Sequence, residues 1–200
     1  MRTTRGLERL VFFSDAVVAI AITLLVLPLV ETVPDFEGDI GVFLLSHLNQ
    51  LLAFALSFAV IGNFWVVHHR IYEKADGYSA GLLRANLLWL ASIVFLPFPT
   101  ALVASQGIDD RGTNALYIGT ILVTTATGLL QQWLLIRSPE LQAEAARGTL
   151  SIVSPLTTTI IIVVALVVAV VAPSVGLWSL LLLFLGRPID WLVERRKARP

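Results

Sequence analysis

The stretch from Arg9 to Val30, RLVFFSDAVVAIAITLLVLPLV, is long enough to cross a bilayer as a helix. It nevertheless holds Ser14 and Asp15 just inside its start and Thr23 in its middle. An ionisable group inside a spanning segment is costly, so it faces protein or water and marks a functional position by default. Ile20, Thr23, Leu24 and Leu27 recur at i, i+3, i+4 and i+7, one face of a helix. That periodicity alone suits ordinary apolar packing as well as a specialised surface. A cleavable leader fits poorly: its apolar part would run about 7–15 residues, and Asp15 would interrupt it.

Further runs of the same kind occur along the chain. Six apolar segments are expected to span, roughly 9–30, 43–68, 82–105, 114–136, 150–172 and 175–193. Their connections are too short for a soluble domain. With 14% charged residues against 56% hydrophobic, too little charge remains to cover a water-soluble core. The fold class expected is therefore an all-α integral membrane protein, one six-helix domain over residues 1–200. There is no cysteine, which excludes disulfides. No basic tract resembles a nucleic-acid arm, and Arg195, Arg196 and Lys197 suit anionic lipid headgroups.

Orientation is set by the basic residues. With six spans, the termini and two loops share one side, and that side holds 13 of the 14 Lys and Arg, leaving only Arg111 opposite. Both termini are then cytoplasmic. The outer connections carry Glu31, Asp35, Glu37, Asp39, Asp109 and Asp110. Such carboxylates are either plain solvated loop residues or a cation-concentrating vestibule, the latter strengthened if several chains surround an axis.

The second span closes on Asn63-Phe64-Trp65-Val66-Val67-His68-His69-Arg70, an interfacial pattern. Adjacent histidines point about 100° apart on a helix, which makes them poor metal partners. One is expected to face the interior and one water. Ser57 can simply bond its own i−4 carbonyl. In the third span, Pro97 and Pro99 bend or end the helix. In the fourth, Gly119, Thr120, Thr124, Thr125, Thr127 and Gly128 suit helix–helix contacts. Ser138-Pro139-Glu140 reads as a helix start leading a short amphipathic linker to Gly148. The fifth span has no polar stripe and belongs on the outside, against lipid.

Antiparallel packing brings Ser14, Asp15, Asn86 and one of His68 and His69 to one depth, the inner third of the membrane. Lipid offers such groups no partner, so they satisfy one another, with Arg9 and the histidines as partners for Asp15. This network locks the first three helices together and fixes the rotation of the first. No phosphate loop, Gly-x-Ser-x-Gly or His-Glu-x-x-His motif is present, and no Thr-Val-Gly-Tyr-Gly filter. An enzyme is the least favoured class.

Arg9-x-x-x-Phe13-Ser14-Asp15 followed by AVVAIAITLLVL resembles the signature of the transmembrane protein 175 family of potassium channels. SFAVIGNFWVVHHR is similar to that family's second helix, and RANLLWL with LPFPTAL to its third. The resemblance covers residues 9–105 and is weak beyond them. It implies a bacterial single-repeat member that assembles as a homotetramer, with the first helix lining the pore. Large apolar residues there form the constriction, which on this chain implies Ile20, Leu24 and Leu27, with Thr23 as a polar ring between them. The structural network it implies is Arg9, Ser14, Asp15, Trp65, His68 or His69, and Asn86. Pro28 departs from the pattern, since relatives often carry a polar residue there, and this bears on the outer end of the helix.

The function expected is a potassium-permeable cation channel, modestly selective over sodium, multi-pass in the plasma membrane. No cofactor and no metal site are expected. The partners are the bilayer, monovalent cations and other copies of the chain. Two rival classes remain: a proton-coupled secondary transporter using Asp15 and a histidine, and a structural membrane protein without transport. The transporter lacks the inverted repeats and paired interrupted helices of that class.

Overall fold

A computed structural model describes residues 4–172 apart from 37 and 107–109. The expected sixth span, 175–193, and the basic tail lie outside the described residues. Among the described residues, five helical stretches are long and apolar enough to cross a membrane: Arg5–Val30, Leu48–Tyr72, Ala80–Gln106, Arg111–Ile136 and Val153–Val171.

The first stretch is not one uninterrupted helix. It consists of α1 (Thr4–Leu24) and a four-residue α2 (Leu27–Val30). Pro28 has no N–H to give the Leu24 carbonyl and its ring crowds that carbonyl. The chain tightens ahead of it, with Leu25 N donating to Ile22 O and Val26 N to Thr23 O, both at 3.3 Å. Along α1 the buried residues Leu7, Leu10, Ser14, Val18 and Ala21, continued by Leu25, step by three and four. They form a single stripe, and the opposite face is exposed.

The second stretch also differs from the 43–68 expected. A short α3 (Ile40–Ser46) precedes α4 (Leu48–Tyr72), and the break falls at His47. There the Phe43 carbonyl takes side-chain hydrogen bonds from Ser46 Oγ (2.7 Å) and His47 Nδ1 (2.9 Å), local bonds that compete with a regular helix. Past His68, α4 gains another turn, where His69 and Arg70 suit the negative end of the helix dipole.

The third stretch is split into α5 (Ala80–Phe95) and α6 (Pro97–Gln106). Pro97 cannot serve the Ile93 carbonyl, which Leu96 N takes instead at 3.2 Å. Next come α7 (Arg111–Ile136) and α8 (Val153–Val171). Only Ile162, Ala165 and Ala169 of α8 are buried, a narrow stripe packed on α7, while the rest of it is half-buried or exposed. Small residues such as Ala165 and Ala169 let helix backbones approach closely in lipid.

Between α7 and α8 the expected amphipathic helix does not form. Two 3-10 turns, Pro139–Leu141 and Glu144–Ala146, take its place, and the Ser138 side chain caps neither. Gln142 explains the difference. Its Nε2 donates to the Leu135 carbonyl at 2.8 Å, and its backbone forms an isolated antiparallel bridge with Ala75. The segment is thus held as a strap across the end of the bundle where α1 begins. A cluster of Leu7, Leu10, Ile71, Tyr72, Ala75, Leu82, Leu135 and Leu141 closes that end, separate from the larger core of the helix bundle.

Candidate pore-helix face and the polar network behind it

Because α1 buries one stripe only, its other face is available to another body. Ile20 is 60% exposed, Leu27 49% and Leu24 38%, and Thr23 is exposed between them. Phe12 and Phe13 continue the exposed surface toward the helix start. Thr23 Oγ1 donates to the Ile20 carbonyl at 2.7 Å, which holds its rotamer and keeps the oxygen's lone pairs as acceptors.

On the buried side three helices are joined by a directed chain of hydrogen bonds. His68 Nε2 of α4 donates to Asn86 Oδ1 of α5 at 2.7 Å. Asn86 Nδ2 donates to Ser14 Oγ of α1 at 2.9 Å, and Ser14 Oγ donates to its own Leu10 carbonyl at 2.9 Å. All three side chains are buried. The His68 ring is stacked 4.2 Å from Trp89 and lies 4.5 Å from Tyr72. This packing fixes the imidazole plane, and with it the direction in which Nε2 donates.

Asp15 belongs to a second group. Its Oδ1 accepts from Trp65 Nε1 at 2.8 Å, and Trp65 in turn stacks on His69 at 5.5 Å. His69 points outward and lies 3.2 Å from Glu73. His68 is therefore the interior histidine and His69 the outer one. The expected partners of Asp15 need correction: neither Arg9 nor a histidine bonds it. Arg9 is exposed and joins neither group among the described residues. An indole N–H satisfies a carboxylate oxygen without burying a second charge, which costs less than an ion pair taken out of water.

Of the acidic loop residues, Glu31 and Asp39 are exposed, and Asp39 caps α3 by accepting from Gly41 N (2.7 Å) and Val42 N (3.1 Å). Asp110 caps α7, accepting from Thr113 N at 2.7 Å. That backbone hydrogen bond holds the Asp110 carboxyl below the usual carboxylate value. Glu37, Asp109 and the Asp35 side chain lie outside the described residues. For Asp39 the capping role is readable from an Asp placed just before Ile40-Gly41-Val42-Phe43.

Sequence reasoning missed two further polar contacts. Ser57 Oγ lies 2.8 Å from Thr100 Oγ1 and 2.9 Å from Tyr117 OH, tying α4, α6 and α7 together, rather than bonding its own helix. Thr124 Oγ1 donates to Ser92 Oγ at 2.9 Å between α7 and α5. The signal for the first was Thr100 beside the Pro97/Pro99 break, where a hydroxyl can turn across the bundle.

The chain matches the family model described as endosomal/lysosomal potassium channel TMEM175 over residues 9–97. A potassium channel of Streptomyces collinus is 35% identical over 145 residues, covering 68% of this chain and 70% of that protein. A potassium channel of Chamaesiphon minutus is 40% identical over 118 residues, 57% of this chain and 58% of its own length. The crystal structure of a lysosomal potassium-selective channel TMEM175 homolog from the same organism superposes with a TM-score of 0.71 at 29% identity, covering 92% of this chain and 97% of that one. The signature around Ser14 and Asp15, the matched first three spans and the shared helical architecture together place this chain in the TMEM175 family of membrane channels.

Proposed function

We propose that the chain forms a potassium-permeable channel in which α1 of four copies surrounds one axis, with both termini in the cytoplasm of a plasma-membrane protein. The observation that carries this is the division of α1 into two faces. A buried face, tied to α5 by the Asn86–Ser14 hydrogen bond, is turned into its own bundle, and an apolar face through Ile20, Leu24 and Leu27 is left uncovered. Four such faces make stacked apolar rings, with a ring of Thr23 hydroxyls among them.

An apolar constriction resists ion passage by dewetting, so an ion sheds part of its hydration to cross. Potassium holds its water less tightly than sodium and loses less. The Thr23 oxygens replace part of what is shed. The result is a modest potassium preference, without the stringency of a carbonyl-lined filter. Glu31, Asp39 and Asp110 then ring the outer mouth and raise the local cation concentration. The family is one of channels rather than enzymes. No observation favours the proton-coupled transporter, since Asp15 is bonded to Trp65 while His68 is bonded to Asn86.

Potassium and sodium flux into liposomes, measured for wild type, Leu27→Ala and Thr23→Ala, tests the reading. Wild type passes potassium faster than sodium, Leu27→Ala raises flux, and Thr23→Ala narrows the difference between the ions. Wild-type protein without potassium flux, or Leu27→Ala with unchanged conductance, sinks it.

A further inference from the structure

The end of the bundle where α1 begins carries an assembly with no part in the pore face or the polar network. The strap between α7 and α8 is tied to the α4–α5 loop by two backbone hydrogen bonds. Asp76 N donates to Leu141 O and Ala143 N to Lys74 O, both at 2.9 Å, on either side of the Ala75–Gln142 bridge. Gln142, itself buried, anchors the strap to the end of α7 through the Leu135 carbonyl. Two residues beyond Asp76, the same loop lays Tyr78 on the first turns of α1. A Cβ added at Gly6 would meet Tyr78 Cε1 at 3.1 Å and its hydroxyl oxygen at 3.2 Å.

Gly6 lies within α1, where glycine is a poor helix former. Its backbone needs no left-handed conformation, since among the described residues the positive-φ glycines are Gly38 and Gly148. What the site demands is close approach. The loop and strap also share one apolar cluster with Leu7 and Leu10 of α1, so the start of α1 is packed against both.

We propose that Tyr78 is a positioning residue for the pore helix: the strap holds the α4–α5 loop, and Tyr78 seated on Gly6 sets how far the start of α1 can tilt. The inference rests on the reading of α1 as the pore helix. A helix pinned at one end and lining a pore along its length converts a small displacement at Gly6 into a change at the constriction. The contact therefore controls how often the channel is open, not what passes through it.

Single-channel recording in planar bilayers, with thermal melts of the same preparations, compares wild type, Gly6→Val, Tyr78→Ala, Gly6→Val/Tyr78→Ala and Gln142→Ala. Gly6→Val lowers open probability roughly five- to tenfold, the scale of mild overpacking. Unit conductance and the potassium/sodium preference stay as in wild type. Adding Tyr78→Ala restores opening to the level of Tyr78→Ala alone, because the side chain that collides is gone. Gln142→Ala, which loosens the strap, lowers opening without changing conductance. The proposal is overturned if Gly6→Val opens as wild type does, if Tyr78→Ala fails to relieve it, or if Gln142→Ala leaves opening unchanged. It is equally overturned if the Gly6 and Tyr78 changes couple in the melts but not in open probability, which is the mark of a contact that only stabilises. Wild-type protein with no potassium current overturns the channel reading itself, and this inference with it.

Discussion

The side-chain amide of Asn86 donates to the Ser14 hydroxyl at 2.9 Å, joining two helices whose contact residues lie 72 positions apart. Both groups are buried, so neither has water as an alternative. Ser14→Ala leaves the Asn86 Nδ2 without its acceptor, and a buried orphan donor costs about 1–3 kcal/mol. Asn86→Ala strands His68 Nε2 as well and costs more. The double variant loses less than the two single losses added, because the shared bond is counted once. Thermal melts of the four proteins in one detergent check this. Strict additivity would mean that the bond contributes nothing to the folded state.

The two adjacent histidines should respond very differently to truncation. His68 is buried between Trp89 and Tyr72 and is bonded to Asn86. His68→Ala opens a ring-sized void and orphans Asn86 Oδ1, a loss of about 3–5 kcal/mol by analogy with buried aromatic truncations. His69 is paired at the surface with Glu73, both side chains largely exposed. Solvent screening reduces such pairs to about 0–1 kcal/mol. Denaturation midpoints of His68→Ala and His69→Ala compare the two, and equal losses would contradict the placement.

Asp110 makes stability depend on pH at the start of α7. The Thr113 N–H holds its carboxyl below the ordinary value of 3.8. A group with a lowered native value stabilises the fold fully above the ordinary value, and that contribution fades as pH falls through the native one. Wild type should therefore lose stability below about pH 4 more steeply than Asp110→Ala, which has no charge there to lose. Melting temperatures across an acid series distinguish the two, and parallel curves would remove Asp110 from the account.

How legible each contact was in the chain depends on how strongly a residue type constrains its surroundings. Ser14, Asn86 and His68 could be expected to meet, because polar groups at one depth of a lipid-spanning bundle have only each other. Which histidine faced inward was not legible, since that depends on helix rotation set by packing against Trp89 and Tyr72. Opposite charge points from Asp15 to Arg9, while the geometry supplies the Trp65 indole instead. A bond from Ser57 to its own backbone is open to sequence reasoning because local bonds need no tertiary information, whereas its bonds to Thr100 and Tyr117 require knowing where α6 and α7 lie. The capping pattern at Ser138 favours a helix start, but a long-range bridge through Gln142 limits it to a single 3-10 turn.

Pro28 sets the outer end of the exposed face of α1. The Leu24 carbonyl has no donor at position 28, and the i to i+3 bonds at Leu25 and Val26 replace the regular ladder. A residue in such a tightened turn advances about 120° rather than 100° around the axis, so two of them rotate the Leu27–Val30 segment by about 40°. Pro28→Ala supplies the missing N–H and lets α1 run without a break into that segment. Stability rises by about 1 kcal/mol, less than the full interior cost of proline because Pro28 already sits at the start of α2. Leu27 turns by about 40° around the axis relative to Ile20 and Leu24, so the same substitution that stabilises the fold should alter conduction. A melt together with potassium flux on Pro28→Ala checks both halves. A more stable protein with unchanged flux would separate Leu27 from the constriction, and an unchanged melt would show that the break at Leu25–Val26 has a cause other than proline.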